Sequence, residues 1–391
     1  MINLLFDLNN IAYRSLFIIS GYGTKSYTFD SQSEIDQLVR KMAMDISFII
    51  RLINPSRIIF TLDSKSWRRD INIEENEGYK AQRIKSKFIN WDNIYKTLDE
   101  FGNIMESQGM IVTKIESAEA DDLLCLWRYE LLFNQQQHVI IVSGDEDVRQ
   151  LVNFYPTDSK KTVFSTVFNP FMQGKNASRK LYVPKYFEEW INTANVKDIF
   201  NMKGSIDVDK EDFRKIISAE KTKIEQVDGR MIALRKIFCG DDGDNVPAFY
   251  TWLNDKGKEE RITNSKFEKI YENMVVEPNE LMDYEDLWER KEKLIEVIKK
   301  VSKQNPLFKI EDRLDRQIKL VVLSPTLFPE KIQKDFKEIK EKEIIKPRVN
   351  YSTLNMYNLL EGTQYVNERK TKGSESSIFK EIDKMQGKSL F

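Results

Sequence analysis

Histidine is nearly missing from this chain of 391 residues, with His138 as its single copy. Redundant Ser/His/Asp triads, histidine-rich metal sites and Cys/His zinc fingers are thereby excluded. Any bound metal has to be held by oxygen, which points to magnesium or manganese. Cysteine is scarce too: Cys125 and Cys239 sit in apolar, helix-like stretches and read as buried free thiols in a reducing compartment, not as a disulfide. No apolar run is long enough to span a bilayer, and Met1 to Asp7 lacks the basic region of a signal peptide, so a cytoplasmic protein is expected, host-cell cytoplasm if phage-encoded. Excess charge of one sign is also absent: 61 basic and 62 acidic residues leave a net charge of −1, so only their segregation into an acidic site and basic flanks could matter.

The acidic residues are placed with a pattern. Three short apolar runs each lead to an aspartate: Leu4-Leu5-Phe6 before Asp7, Ile58 to Leu62 before Asp63, and Val139 to Val142 before Ser143-Gly144-Asp145. Such runs read as buried parallel strands. Helical patterns between them, such as Glu34 to Leu52, predict a βαβ topology with helices on both faces of an open sheet. Ligands in that architecture bind beyond the carboxyl ends of the strands, which brings the three aspartates to one crevice. A fourth run, Met110 to Ile115, precedes Glu119-Ala120-Asp121-Asp122 at the start of an apolar helix. Helix capping accounts for one acid there, and three within four residues exceed that need. Asp147 follows Asp145 by two, and Gly240-Asp241-Asp242-Gly243-Asp244-Asn245 follows the helix pattern Met231 to Phe238. A glycine-aspartate turn alone is usually only a turn. So many acids in one crevice repel unless cations sit among them or several point to solvent. Two divalent ions about 3.5–4 Å apart suit in-line phosphodiester hydrolysis without a histidine base.

The ordered set Phe6-Asp7-Leu8-Asn9, Asp63, Trp67-Arg68-Arg69-Asp70, Tyr79-Lys80-Ala81-Gln82-Arg83, Glu119-Ala120-Asp121-Asp122, Ser143 to Asp147 and Gly240 to Asn245 resembles the 5′-to-3′ exonuclease/flap endonuclease superfamily. The Trp-Arg-Arg-Asp and Glu-Ala-Asp-Asp phrases are most similar to the RNase H group of T-even-type bacteriophages. The resemblance implies a PIN-like α/β nuclease core, a helical arch or bridge over the site, and a helix-three-turn-helix that grips duplex DNA. It implies removal of RNA primers and 5′ flaps during DNA replication, on DNA and RNA-DNA hybrids, with two Mg2+ ions for which Mn2+ substitutes. Carried over by motif, Asp7, Asp63, Glu119, Asp121 and Asp145 surround the first metal and Asp147, Asp241 and Asp244 the second. Asp122 is a further metal candidate, or supports the others through hydrogen bonds, and Asp242 falls at a variable position.

Between Gly78 and Phe88 stand Lys80, Arg83, Lys85 and Lys87 with no acid among them. A solvated helix face is the ordinary explanation. Their place after the strand ending at Asp63 favours the arch, where Lys80 and Arg83 match residues that support charge on the scissile phosphate. Lys80, Arg83, Asp121 and Asp145 are the catalytic candidates. Tyr79 stacks on a base or packs; Arg68 and Arg69 contact phosphate or pair with a local carboxylate; Trp67 anchors the bridge.

The expected organisation is a core over 1–155 with its bridge near 64–92, an elaboration over 156–228 containing a hairpin from Thr162 to Val183, and a last metal loop with the helix-three-turn-helix over 229–330. A charged, solvated helical segment over 331–363 and a flexible tail over 364–391 complete it. The polar stretch Asn254 to Asn264 interrupts the helix-three-turn-helix, helical patterns resume at Lys266 to Met274 and Leu287 to Ser302, and Leu320 to Thr326 reads as extended. Gln386, Leu390 and Phe391 at the terminus resemble a sliding-clamp peptide, which together with single-stranded-DNA-binding protein makes the candidate partners; a frayed end is the plain alternative. A PIN-type endoribonuclease and a catalytically silent DNA-binding replisome scaffold are the competing functions.

Overall fold

The structure is a computed structural model that describes residues 1–21, 27–53, 55–73, 78–83, 86–157, 162–171, 178–192, 208–218, 222–249, 251–274, 310–344, 359–360 and 363–365. Its centre is a mostly parallel sheet in the order β3-β2-β1-β4-β6-β7-β8, formed by β1 (Ile2–Asp7), β2 (Arg57–Thr61), β3 (Ile111–Thr113), β4 (His138–Val142), β6 (Thr162–Asn169), β7 (Arg179–Val183) and β8 (Thr222–Gln226). The short β5 (Asn153–Pro156) pairs antiparallel with β6. The apolar runs ending in aspartate are parallel strands, as their lack of alternation predicts: every residue of β1 and of β4 is buried. Phe6 pairs with Phe60 and with Val142, and Asp7 with Thr61. Asp7, Asp63 and Asp145 therefore leave the same edge of three adjacent strands.

Successive side chains point to opposite faces, so each strand feeds two cores. Leu4, Phe6, Ile58, Phe60, Ile140 and Val142 pack under α1 (Leu8–Ile19), α2 (Gln32–Ile53) and α3 (Trp91–Ser107). Leu5, Ile59, Val139 and Ile141 pack under α4 (Ala120–Tyr129) on the other face. His138 belongs to the packing: its Nδ1 accepts the Phe164 amide at 3.2 Å and its ring stacks on Phe164. Strands β6, β7 and β8 widen the central sheet directly beside β4, with the expected hairpin as β6-β7 and with α5 (Phe187–Asn192) and α6 (Val208–Ser218) between β7 and β8.

A third core joins α7 (Gly229–Cys239), α8 (Asn264–Met274) and α9 (Ile310–Val321) with Ile73 and Tyr79 of the bridge. Between α7 and α8 lie the Gly-Asp loop and a hairpin, β9 (Thr251–Leu253) with β10 (Glu259–Arg261), so the stretch read as a polar interruption is a small two-stranded sheet. Gly240 is required at the end of α7, because at φ 75° an added Cβ would meet the Val246 carbonyl oxygen at 2.6 Å.

Three expectations need correcting. Leu320 and Val321 end helix α9 and Pro325–Leu327 is a single 3-10 turn, because a short apolar run satisfies a buried helix end as well as a strand. The charged helix α10 (Glu330–Glu343) is amphipathic and buries Ile332 and Phe336, with the Phe336 ring 5.0 Å from Trp127 of α4. No helix occurs between Ile71 and Asn90 among the described residues, which form turns at 79–82 and 87–88. The helical pattern Leu287 to Ser302, Lys85, and Gln386, Leu390 and Phe391 lie outside the described residues. Among those described, no helix is long and apolar enough to cross a membrane.

Candidate active site

Asp7 closes β1 and caps α1, its Oδ1 accepting the Asn10 amide at 2.9 Å. Asn9 and Asn10, the first turn of that helix, fasten the neighbouring loops: Asn9 Oδ1 accepts the Asp63 amide and Asn10 Oδ1 the Gly144 amide, each at 2.9 Å. Asp63 Oδ1 accepts the Ala120 amide at 2.7 Å, so the carboxylate after β2 sits on the positive end of α4. Asp145 Oδ1 accepts the Asp147 amide at 2.9 Å, and the Asp145 amide reaches Ser143 Oγ at 3.1 Å. The strand ends thus meet in one hydrogen-bonded rim that carries Asp7, Asp63, Asp121 and Asp145.

Crowding shows in the acidities. Burial and the charges of Asp63 and Asp145 push the Asp7 carboxyl up to about 8. Burial, then Asp145 and Asp7, raises Asp121 well above the carboxylate range, and burial raises Asp63 in spite of its bond to Ala120. These groups resist ionisation where they stand, and a cation among them would reverse that.

Glu119 is different, since it already has cations. Ser66 Oγ at 2.7 Å, Arg68 Nη1 at 3.2 Å, Tyr79 Oη at 3.2 Å and Lys80 Nζ at 2.5 Å all donate to it. Burial opposes its charge, yet Lys80 and Arg68 hold its carboxyl down to about 2. Asp244 accepts from Tyr79 Oη at 3.0 Å and from Arg83, with Lys80 Nζ at 3.6 Å. The turn bearing Lys80 and Arg83 is pinned to the Gly-Asp loop by the Lys80 amide on the Asp244 carbonyl and by Asn245 Nδ2 on the Gly78 carbonyl, each 2.8 Å. Lys80 holds φ at 56°, a left-handed conformation that aims its ammonium between Glu119 and Asp244.

Asp147, Asp241 and Asp244 form the tightest acid group among the described residues, with one carboxylate oxygen of each within 4.8 Å of the others. Lys236 of α7 donates to Asp147 and, at 2.5 Å, to Asp241. Burial lifts Asp147 to about 6 even so, whereas Lys236 keeps Asp241 below the ordinary range.

Three residues take the second of the two readings left open for them. Asp122 is fully buried and is taken up by Arg68 Nη2 at 2.7 Å, Trp67 Nε1 at 3.2 Å and the Glu119 amide at 3.1 Å, which makes it a hydrogen-bonded support for Glu119. Arg68 is turned inward by the 3-10 turn Trp67–Asp70, is 2% exposed and is paired with Asp122 and Glu119. Tyr79 is buried among acids and presents no face for a base. Asp242 points to solvent and pairs with Arg261 at 2.8 Å. Arg69 and Lys87 remain exposed. Asn10, Ser66 and Lys236 were not singled out from sequence; for Asn10 and Ser66 the available signal was their place three residues after Asp7 and Asp63.

A cleft of about 1350 Å³ opens over the rim. Its lining brings the acids Asp7, Asp63, Glu119, Asp121 and Asp145 together with the basic Lys65, Arg69, Lys80 and Arg83 and the aromatic Tyr13, Phe17, Phe88, Trp91 and Tyr95. Phe88 is 82% and Phe17 55% exposed, a large apolar display for a protein surface.

No curated protein matches this chain. Solved structures of bacteriophage T5 proteins are similar over most of their length. A T5 protein co-crystallised with metal ions is 16% identical, covers 88% of this chain and 100% of its own, and gives a TM-score of 0.49. A T5 flap endonuclease in a pseudo-enzyme-product complex with DNA and metal ions is 16% identical with the same coverage of 88% and 100% and a TM-score of 0.48. A T5 5′-exonuclease with zinc bound is 15% identical, covering 89% and 100%, at 0.49. The model of the 5′-3′ exonuclease, N-terminal resolvase-like domain, matches residues 3–177, the stretch that includes β1 to β4 and the whole acidic rim. Residues 3–177 are thus similar to the N-terminal resolvase-like domain of 5′-3′ exonucleases.

Proposed function

We propose that this chain hydrolyses phosphodiesters at 5′ ends and 5′ flaps of DNA and of RNA paired with DNA, as in primer removal during replication, an activity like that of the T-even phage RNase H group. The observation that carries the reading is the crowding of Asp7, Asp63, Asp121 and Asp145 on one rim, where burial and mutual repulsion hold the carboxyls of Asp7, Asp63 and Asp121 above their ordinary range, as fits a donor set made for hard divalent cations, Mg2+ or Mn2+. Asp7, Asp63, Asp121 and Asp145 would hold one ion, with Glu119 at their border, and Asp147, Asp241 and Asp244 the other. Two ions bound there supply an activated water and a stabilised leaving oxygen.

The protein groups then divide the work. Lys80 Nζ faces the cleft and meets a non-bridging phosphate oxygen, and Arg83 on the same turn offers a second contact. Arg69, Lys65 and Lys87 draw the backbone, while Phe88, Phe17 and Trp91 offer stacking surfaces for unpaired bases. The strand would enter this cleft, whose lining combines basic, aromatic and acidic side chains. A sliding clamp and single-stranded-DNA-binding protein are the candidate partners, and the cytoplasm the candidate location.

The test is digestion of a 5′-labelled flap, a nicked duplex and an RNA-DNA hybrid in Mg2+. Short products from the 5′ end, lost in Asp121→Ala and slowed more than DNA binding in Lys80→Ala, are the expected result. Intact substrate with unimpaired binding refutes the reading and leaves a scaffold.

A further inference from the structure

The second acid group already contains a cation. Lys236 rises from the last turn of α7 and its ammonium bonds both Asp147 and Asp241, which with Asp244 make the three-carboxylate cluster. The side chain is 10% exposed, so this is a buried pairing and not a surface one. Magnesium needs carboxylate oxygens at about 2.0–2.1 Å in near-octahedral geometry. An ammonium bonded to two of the same three carboxylates competes for that oxygen shell and repels the incoming charge.

We infer that Lys236 is a tethered counter-cation: its ammonium occupies the place of the second divalent ion, is displaced when that ion binds, and so sets the affinity of the site formed by Asp147, Asp241 and Asp244. This rests on the proposed metal-dependent function. Two structural features make the exchange feasible. The lysine stem has four rotatable carbons, whereas the acids are fixed: Asp147 by its amide on Asp145, and Asp241 by the paired backbone bonds with Val246, each 2.8 Å. The ammonium also keeps the cluster assembled before any ion arrives, since it relieves repulsion between Asp147 and Asp241. Lys236 is therefore a positioning residue that trades stability of the empty site against strength of the filled one.

The experiment is Mn2+ titration of the full chain, with free Mn2+ counted by electron paramagnetic resonance, for wild type, Lys236→Gln and Lys236→Arg. Lys236→Gln should tighten the weaker of two Mn2+ sites at least tenfold, about 1.4 kcal/mol, with the tighter site within twofold of wild type. Lys236→Arg should stay near wild type because the charge remains. An unchanged or weaker site in Lys236→Gln overturns the inference. A readout on wild type needs no variant: acetylation of Lys236 by an activated ester, followed by mass spectrometry, should rise at least threefold in saturating Mg2+. No rise overturns it as well. Wild type that binds no Mn2+ at all would remove the proposed function, whereas two bound ions with an indifferent Lys236→Gln removes this inference alone.

Discussion

Arg68→Met separates a structural guanidinium from a substrate contact. The wild-type group gives 2.7 Å and 3.2 Å bonds to Asp122 and Glu119 and lies 4.8 Å over the Trp67 ring. Methionine fills much of the same volume and removes the charge, which leaves Asp122 fully buried without its cation. Breaking a buried pair on one side costs about 3–5 kcal/mol. Glu119 gives a second scale: against burial, Lys80, Arg68 and Ser66 together bring its carboxyl from 4.5 to about 2, a net effect on the order of 3–4 kcal/mol of which Arg68 supplies a part. The sign follows from the depressed value: this stability is complete above the unfolded pKa of 4.5 and is lost as pH falls towards 2. Arg68→Met should therefore lower stability at pH 7 by about 3 kcal/mol or more, read from urea unfolding by tryptophan fluorescence. Asp122→Leu combined with it should recover part of the loss, so that the two changes are not additive. Simple additivity, or a stable Arg68→Met whose DNA affinity loses one unit of salt slope, would show that Arg68 faces phosphate and that its inward pairing is wrong.

Other outcomes follow from the same geometry. Phe336→Ala should cost about 3–5 kcal/mol, because it empties the space against Trp127 behind α4; a loss under 1 kcal/mol in urea unfolding would mean α10 is only loosely held. Metal-free protein should melt lower as pH rises from 5 to 8, since Asp7 at about 8 and Asp147 at about 6 keep protons that their unfolded forms release; Mg2+ should raise the melting temperature more at pH 8 than at pH 5, and a flat profile refutes the crowding. Phe88→Ala should weaken binding of a 5′ single-stranded flap by about 1–3 kcal/mol and leave nicked duplex nearly unchanged, measured by fluorescence anisotropy with cleavage blocked; equal losses on both would deny base stacking.

The carboxylate frame was legible because parallel strands buried on both faces must be written as unbroken apolar runs, and the residue after each run is bound to the ligand edge. Asp7, Asp63 and Asp145 needed no other information. Direction within a turn was harder. Trp67-Arg68-Arg69-Asp70 puts one arginine inside and the next outside, and adjacent positions in a 3-10 turn carry no periodic cue to tell them apart. Lys236 was invisible for a related reason: a lysine in the last turn of a helix is a common complement to the helix dipole, and its acids come from loops 89 and 5 residues away. Tyr79 was ambiguous because its hydroxyl partners, Glu119 and Asp244, lie 40 and 165 positions on.

The contact of Phe336 with Trp127 has a bearing on when the molecule becomes active. A ribosome delivers β1 to β4 and every carboxylate of the rim long before residue 336 leaves the exit tunnel, and until then the rear of the helix that starts with Glu119 and Asp121 lacks its cover. The cover behind α4 is thereby supplied from a part of the chain more than two hundred positions beyond it.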